Sequence, residues 1–132
     1  MIAIELKLLG WAALLGLGQI LLTAFVRTRA YGSNRNMGAR DTTPEDRKTP
    51  LIGRLERAQA NFLETFPLFV AVVLATVIAG QTGGTITTGA WMYLAGRLVY
   101  VPLYAVGVPV ARTMAWGVAT AGIVLIARAI LF

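Results

Sequence analysis

Apolar residues in this chain fall into four runs, each about as long as a bilayer is thick. Nothing else constrains the fold as strongly. A hydrocarbon core of about 30 Å is crossed by about 20 helical residues, and the runs cover about 6–26, 58–80, 86–106 and 112–131. Hydrophobic residues make up 57% of the 132, with glycine uncounted. A water-soluble domain holds about 45–50% even with glycine included, and a chain this short has too small an interior to hide the excess. The expected fold class is therefore all-α, an integral membrane four-helix bundle forming a single domain over 1–132. The first run, with Lys7 at its start, ends in Val26-Arg27-Thr28-Arg29 and not in a small-x-small cleavage site. It reads as a retained helix and not as a signal peptide. A polar loop is expected over 27–57.

Charge orients the bundle. Lys and Arg number 12 against 6 acids, and eight of the twelve lie between Arg27 and Arg57. Such clusters mark cytoplasmic loops. A nucleic-acid surface is the rival reading, but Asp41, Glu45, Asp46 and Glu56 interrupt the cluster, and only Tyr31 could stack on bases. No nucleic-acid partner is expected. The second connection is uncharged and the third leads into Arg112, so both termini are expected outside the cytoplasm. The expected setting is a bacterial inner membrane, with lipids as neighbours.

Some chemistry is excluded outright. The chain has no Cys and no His, so it has no thiolate nucleophile, no imidazole base and no expected metal centre. Any reactive sulfur must arrive on a ligand.

Polar residues inside the apolar runs are the candidates for function, because charge in a membrane helix is costly and faces an interior or a wet cavity. Arg57, Asn61 and Glu64 recur at i, i+4 and i+7 on one helix face. Arg97, Tyr100 and Tyr104 form a second stripe. Glu64 is the expected partner of Arg97; a pair that merely joins two helices is the plainer alternative. Tyr93, Trp91 and Trp11 read as an interfacial aromatic belt. Arg112-Thr113 opens the fourth helix, where free amides, a guanidinium and a hydroxyl suit an anion. Arg27 reads as a membrane-surface anchor.

The pattern Arg54-x-x-Arg57-Ala58-x-x-Asn61-x-x-Glu64-x-x-Pro67 resembles the signature of the membrane-associated proteins in eicosanoid and glutathione metabolism, the MAPEG superfamily. Val26-Arg27-Thr28-Arg29, Gly96-Arg97, Tyr104 and Arg112-Thr113 follow in that family's order over nearly the whole chain. The resemblance implies a homotrimer with glutathione between neighbouring subunits. Arg27 would reach the ligand from an adjacent subunit, and Arg57, Asn61, Glu64, Arg97, Tyr100 and Tyr104 would surround its polar groups. Arg112 would favour the thiolate, with Thr113 beside it. Three positions depart from the pattern: Ala60 stands where an arginine is common, Tyr100 where histidine is, and Trp116 where tyrosine is.

The expected function is a glutathione-dependent transferase or peroxidase acting on a lipophilic electrophile. The alternative is a non-catalytic accessory subunit of a membrane complex, which the departures favour. A small multidrug exporter is a third class, but it needs an acid embedded in the first helix, where Glu5 is only marginal.

Overall fold

A computed structural model describes residues 1–39 and 49–132. The middle of the expected basic loop, with Asp41, Glu45 and Asp46, lies outside them. The chain forms α1 (Ile4–Tyr31), α2 (Ser33–Met37), α3 (Pro50–Ile78), α4 (Gly84–Val106) and α5 (Pro109–Leu131). Among the described residues, four long helices and one short one make up an all-α architecture.

The helix ends follow local chemistry and correct several expected bounds. The segment Arg27–Tyr31 was expected in the loop, yet α1 continues through it, because nothing breaks the helix before Gly32. There φ is +89°, and the Gly32 N–H bonds the Thr28 carbonyl. Two further stretches of the expected loop are helical, Ser33–Met37 as α2 and 50–57 as the opening of α3. Thr49 caps α3, its hydroxyl accepting from the Ile52 N–H at 3.3 Å, with Pro50 in the first turn. α5 begins at Pro109, three residues before the expected start. Proline's missing N–H costs nothing in a first helical turn.

Contacts at the ends set the helices antiparallel. At one end Arg27 Nε lies 3.5 Å from Glu56 Oε1, joining the close of α1 to the opening of α3. At the same end Arg54 donates to the carbonyls of Ala105 and Val106 at 3.3 and 3.4 Å, covering the C-terminus of α4. Gly107 follows in the left-handed conformation, φ +85°, and a β-carbon there would meet the Arg54 guanidinium at 2.8 Å. At the opposite end Glu5 Oε1 accepts from the Gly83 N–H at 2.8 Å and from the Thr87 hydroxyl. Glu5, expected at the margin of the first helix, is fully buried there.

α1, α3 and α5 are long and apolar enough to cross a membrane, as an integral multi-pass protein requires. α4 has the length but carries Thr85, Thr87, Thr88, Arg97 and four tyrosine or tryptophan residues. It compensates by enclosure, with Ile86, Ala90, Tyr93, Leu94, Arg97 and Tyr100 all buried. Close approach to α5 makes this possible. A β-carbon on Gly89 would meet the Gly122 carbonyl oxygen at 2.7 Å, and one on Gly96 would meet the Ala115 carbonyl oxygen at the same distance. Small residues at such crossings let backbones touch where lipid provides no hydrophobic drive. On α1, Gly16 similarly makes room for the Phe62 ring, whereas Gly10 and Gly18 face open space.

The core joins Leu8 and Ala12 of α1, Phe69 and Val73 of α3, Ile86, Ala90, Tyr93 and Leu94 of α4, and Ala119 and Ile126 of α5. Tyr93 therefore does not belong to an interfacial belt. It is fully buried, stacked on Phe69 with centroids 3.9 Å apart, and its hydroxyl lies 3.3 Å from that of Thr65. Trp11 and Trp91 are exposed. Leu14, Leu17, Leu21, Phe25, Leu68 and Val124 also point outward, as a lipid-facing surface requires.

Candidate functional site

The first layer of polar structure is built on Arg97. Its side chain is 0% exposed, between α3 and α4. The expected partner, Glu64, attracts it only at a distance and forms no direct bond with it. Arg97 donates from one terminal nitrogen to Asn61 Oδ1 at 2.8 Å and from the other to the Thr65 hydroxyl. Glu64 is exposed and makes no hydrogen bond or salt bridge among the described residues. The physical reason is helical rotation: Asn61 and Thr65 are one turn apart on the face toward α4, and Glu64 is turned about 100° from Thr65. A central membrane arginine costs about 2.5–3.5 kcal/mol. Two charge-assisted hydrogen bonds at about 1.5–3 kcal/mol each are of the size needed to offset that. The rings of Phe62, Tyr93 and Tyr100 add cation–π contacts at 6.0, 5.7 and 5.2 Å.

The second layer is centred on Tyr104. Its hydroxyl accepts from Arg57 Nε at 3.1 Å. Its ring lies under the Arg112 guanidinium at 4.5 Å and is tilted against Tyr100 at 5.5 Å. Arg57 is exposed; Tyr104 and Arg112 are half-buried. The Arg112 guanidinium makes no hydrogen bond to the described residues, which leaves its side-chain N–H groups available to a ligand.

These layers meet at a cavity of about 220 Å³ lined by Asn61, Tyr100, Tyr104, Arg112, Thr113 and Trp116. It opens at the end of the bundle that carries the first-loop arginines. Donors dominate it. The Thr113 hydroxyl is the exception, since its proton is given to the Pro109 carbonyl at 3.0 Å. The free-amide reading of Arg112 is corrected: α5 already began at Pro109, and the Arg112 N–H bonds the Val108 carbonyl at 3.3 Å. Arg112 thus offers its side chain and not its backbone.

The structure brings together Arg57, Asn61, Arg97, Tyr100, Tyr104, Arg112 and Thr113, and leaves Arg27 and Glu64 out of the cavity. Arg27 lies on a separate groove of about 360 Å³ between α1 and α3, with Ile20, Thr23, Glu56, Gln59, Ala60 and Leu63. Ala60, one of the three departures, opens onto this groove and not onto the cavity. Sequence reasoning missed Thr65 and Arg54. Thr65 was findable, being one turn from Asn61 on the same face. Arg54 opens the motif, but no helical spacing announces that it caps α4, because that contact depends on how the α4–α5 turn folds back.

A model of the MAPEG family matches residues 8–132. No curated protein and no solved structure matches the chain.

Proposed function

The chain belongs to the MAPEG family, whose members are largely glutathione-dependent transferases and peroxidases, and on that premise we propose that it is a glutathione-dependent membrane transferase or peroxidase acting on lipophilic electrophiles. The observation that carries this reading is the donor-lined cavity. Arg112 presents unengaged N–H groups, and Tyr104 accepts from Arg57 and so keeps its own proton to donate. Glutathione is anionic, and these residues fit it. The bound tripeptide supplies the sulfur nucleophile.

The residues of the chain do the rest. Arg112 places a fixed positive charge beside the sulfur, which favours the thiolate over the thiol. The stacked Tyr104 ring holds that guanidinium in place, so little reorganisation accompanies the charge that develops. Trp116 and the exposed apolar surface of α5 at Val110, Met114 and Val118 admit a lipophilic partner from the bilayer side.

Arg27 is supported as a ligand contributed by a neighbour. It lies with Glu56 on the α1–α3 groove, while the cavity is lined from α3, α4 and α5. If a neighbour's groove packs against the cavity, Arg27 of that copy and Arg112 can share one ligand. This agrees with a homotrimer in which each cavity is completed by the next subunit's groove.

The accessory-subunit reading has one observation in its favour: Trp116 lines the cavity where a hydroxyl is common in the resemblance. Calorimetry of the purified protein with glutathione separates the two readings. The transferase reading expects binding that Arg112→Ala weakens; no heat at millimolar glutathione leaves the accessory role.

A further inference from the structure

We infer that Arg97 is a positioning residue that fixes the hydrogen-bonding polarity of the cavity by holding the Asn61 amide in one orientation. This rests on the glutathione reading and adds how the chain enforces it. Arginine has five N–H donors and no acceptor. The Asn61 atom facing it at 2.8 Å must therefore be the carbonyl oxygen, Oδ1. An asparagine amide is often ambiguous between its two ends, but a guanidinium removes the ambiguity. The other end, Nδ2, makes no hydrogen bond to the described residues, and Asn61 lines the cavity. Two amide protons are thus presented to the ligand.

Arg97 cannot make that contact itself. It is fully buried, is not among the residues lining the cavity, and is shared between Asn61 and Thr65 under three aromatic rings. Turning the amide over would set its N–H groups against the guanidinium and leave buried donors facing each other, a cost of the order of a lost charge-assisted bond. With Asn61 locked, Arg112, Tyr104 and Asn61 all offer protons, and the cavity favours an anionic oxygen or sulfur over a neutral or cationic group. Glutathione is the ligand that uses this.

A double-mutant cycle on glutathione affinity tests it, with thermal unfolding of each variant as the check on folding. If Arg97 acts through Asn61, Arg97→Gln and Asn61→Ala each weaken binding about tenfold. The double variant then binds no worse than the weaker single one, because effects routed through one side chain do not add. Arg97→Lys, which keeps a cationic donor, should retain affinity within about threefold. Additive losses, near a hundredfold together, overturn the inference. So does wild-type affinity in a folded Asn61→Ala variant, a result that does not depend on how Arg97→Gln folds. A wild-type protein that fails to bind glutathione overturns the functional reading and this role with it, so the two failures are told apart.

Discussion

Tyr104 lies between two guanidiniums, hydrogen-bonded to Arg57 and stacked beneath Arg112, and this is the contact on which the proposed chemistry turns. Replacing it with phenylalanine keeps the ring under Arg112 but removes the hydroxyl. The expected result for Tyr104→Phe is a loss of about 0.5–1.5 kcal/mol in glutathione binding, a few-fold to about tenfold in affinity. Unchanged affinity by calorimetry would remove the hydroxyl from the site. Much at this scale was legible in the sequence. Charged and aromatic residues recurring at helical spacing inside apolar runs picked out Arg57, Asn61, Arg97, Tyr100 and Tyr104, because burying such groups in lipid is too costly to be incidental. What the spacing could not give was the pairing. Glu64 looked like the partner of Arg97 because it carries the opposite charge, yet charge says nothing about which face of α3 turns toward α4.

At the scale of elements, α4 depends on its neighbours more than the other helices do. Gly96 brings its backbone against Ala115 and Ala119 of α5. Gly96→Leu has no space to enter, since backbone cannot yield as a side chain tip can, and overpacking costs about 1–3 kcal/mol or more. The variant should lower the thermal midpoint in detergent clearly, whereas Gly18→Leu, which faces open space, should leave it unchanged. An equal effect of both would contradict the α4–α5 packing. The other end of α4 is held by Glu5, whose Oε1 takes the Gly83 N–H and the Thr87 hydroxyl. Glu5→Ala should cost about 1–3 kcal/mol, measured by unfolding, because two partly buried donors lose their charged acceptor. The start of α3 was missed although a capping residue marks it, because Thr49-Pro50 lies inside the polar stretch expected as loop. Helix ends were also misread where polar residues continue a helix past its apolar run. Polarity reports where the bilayer ends; a helix ends at a breaker, and here the first one is Gly32.

At the scale of the whole molecule, the proposed glutathione site is one shared between copies of the chain. Its cavity and its Arg27 groove lie on different faces, and its outer surface is apolar over α1, α3 and α5. We expect a homotrimer with the basic first loop in the cytoplasm and both termini on the other side. A detergent-corrected mass of a monomer or dimer would contradict the first expectation, and reporters at residue 40 and the C-terminus labelling the same side would contradict the second. The central claim is that this donor-lined cavity binds glutathione and ionises its thiol. With no Cys or His in the chain, the ionisation has to depend on the fixed charge of Arg112. Ultraviolet difference spectroscopy of the purified protein titrated with glutathione follows the thiolate directly. The account predicts a saturable thiolate signal at neutral pH that Arg112→Ala abolishes, while that variant still binds through Asn61 and Tyr104. Neither signal nor binding at millimolar glutathione, or an undiminished signal in Arg112→Ala, would contradict it.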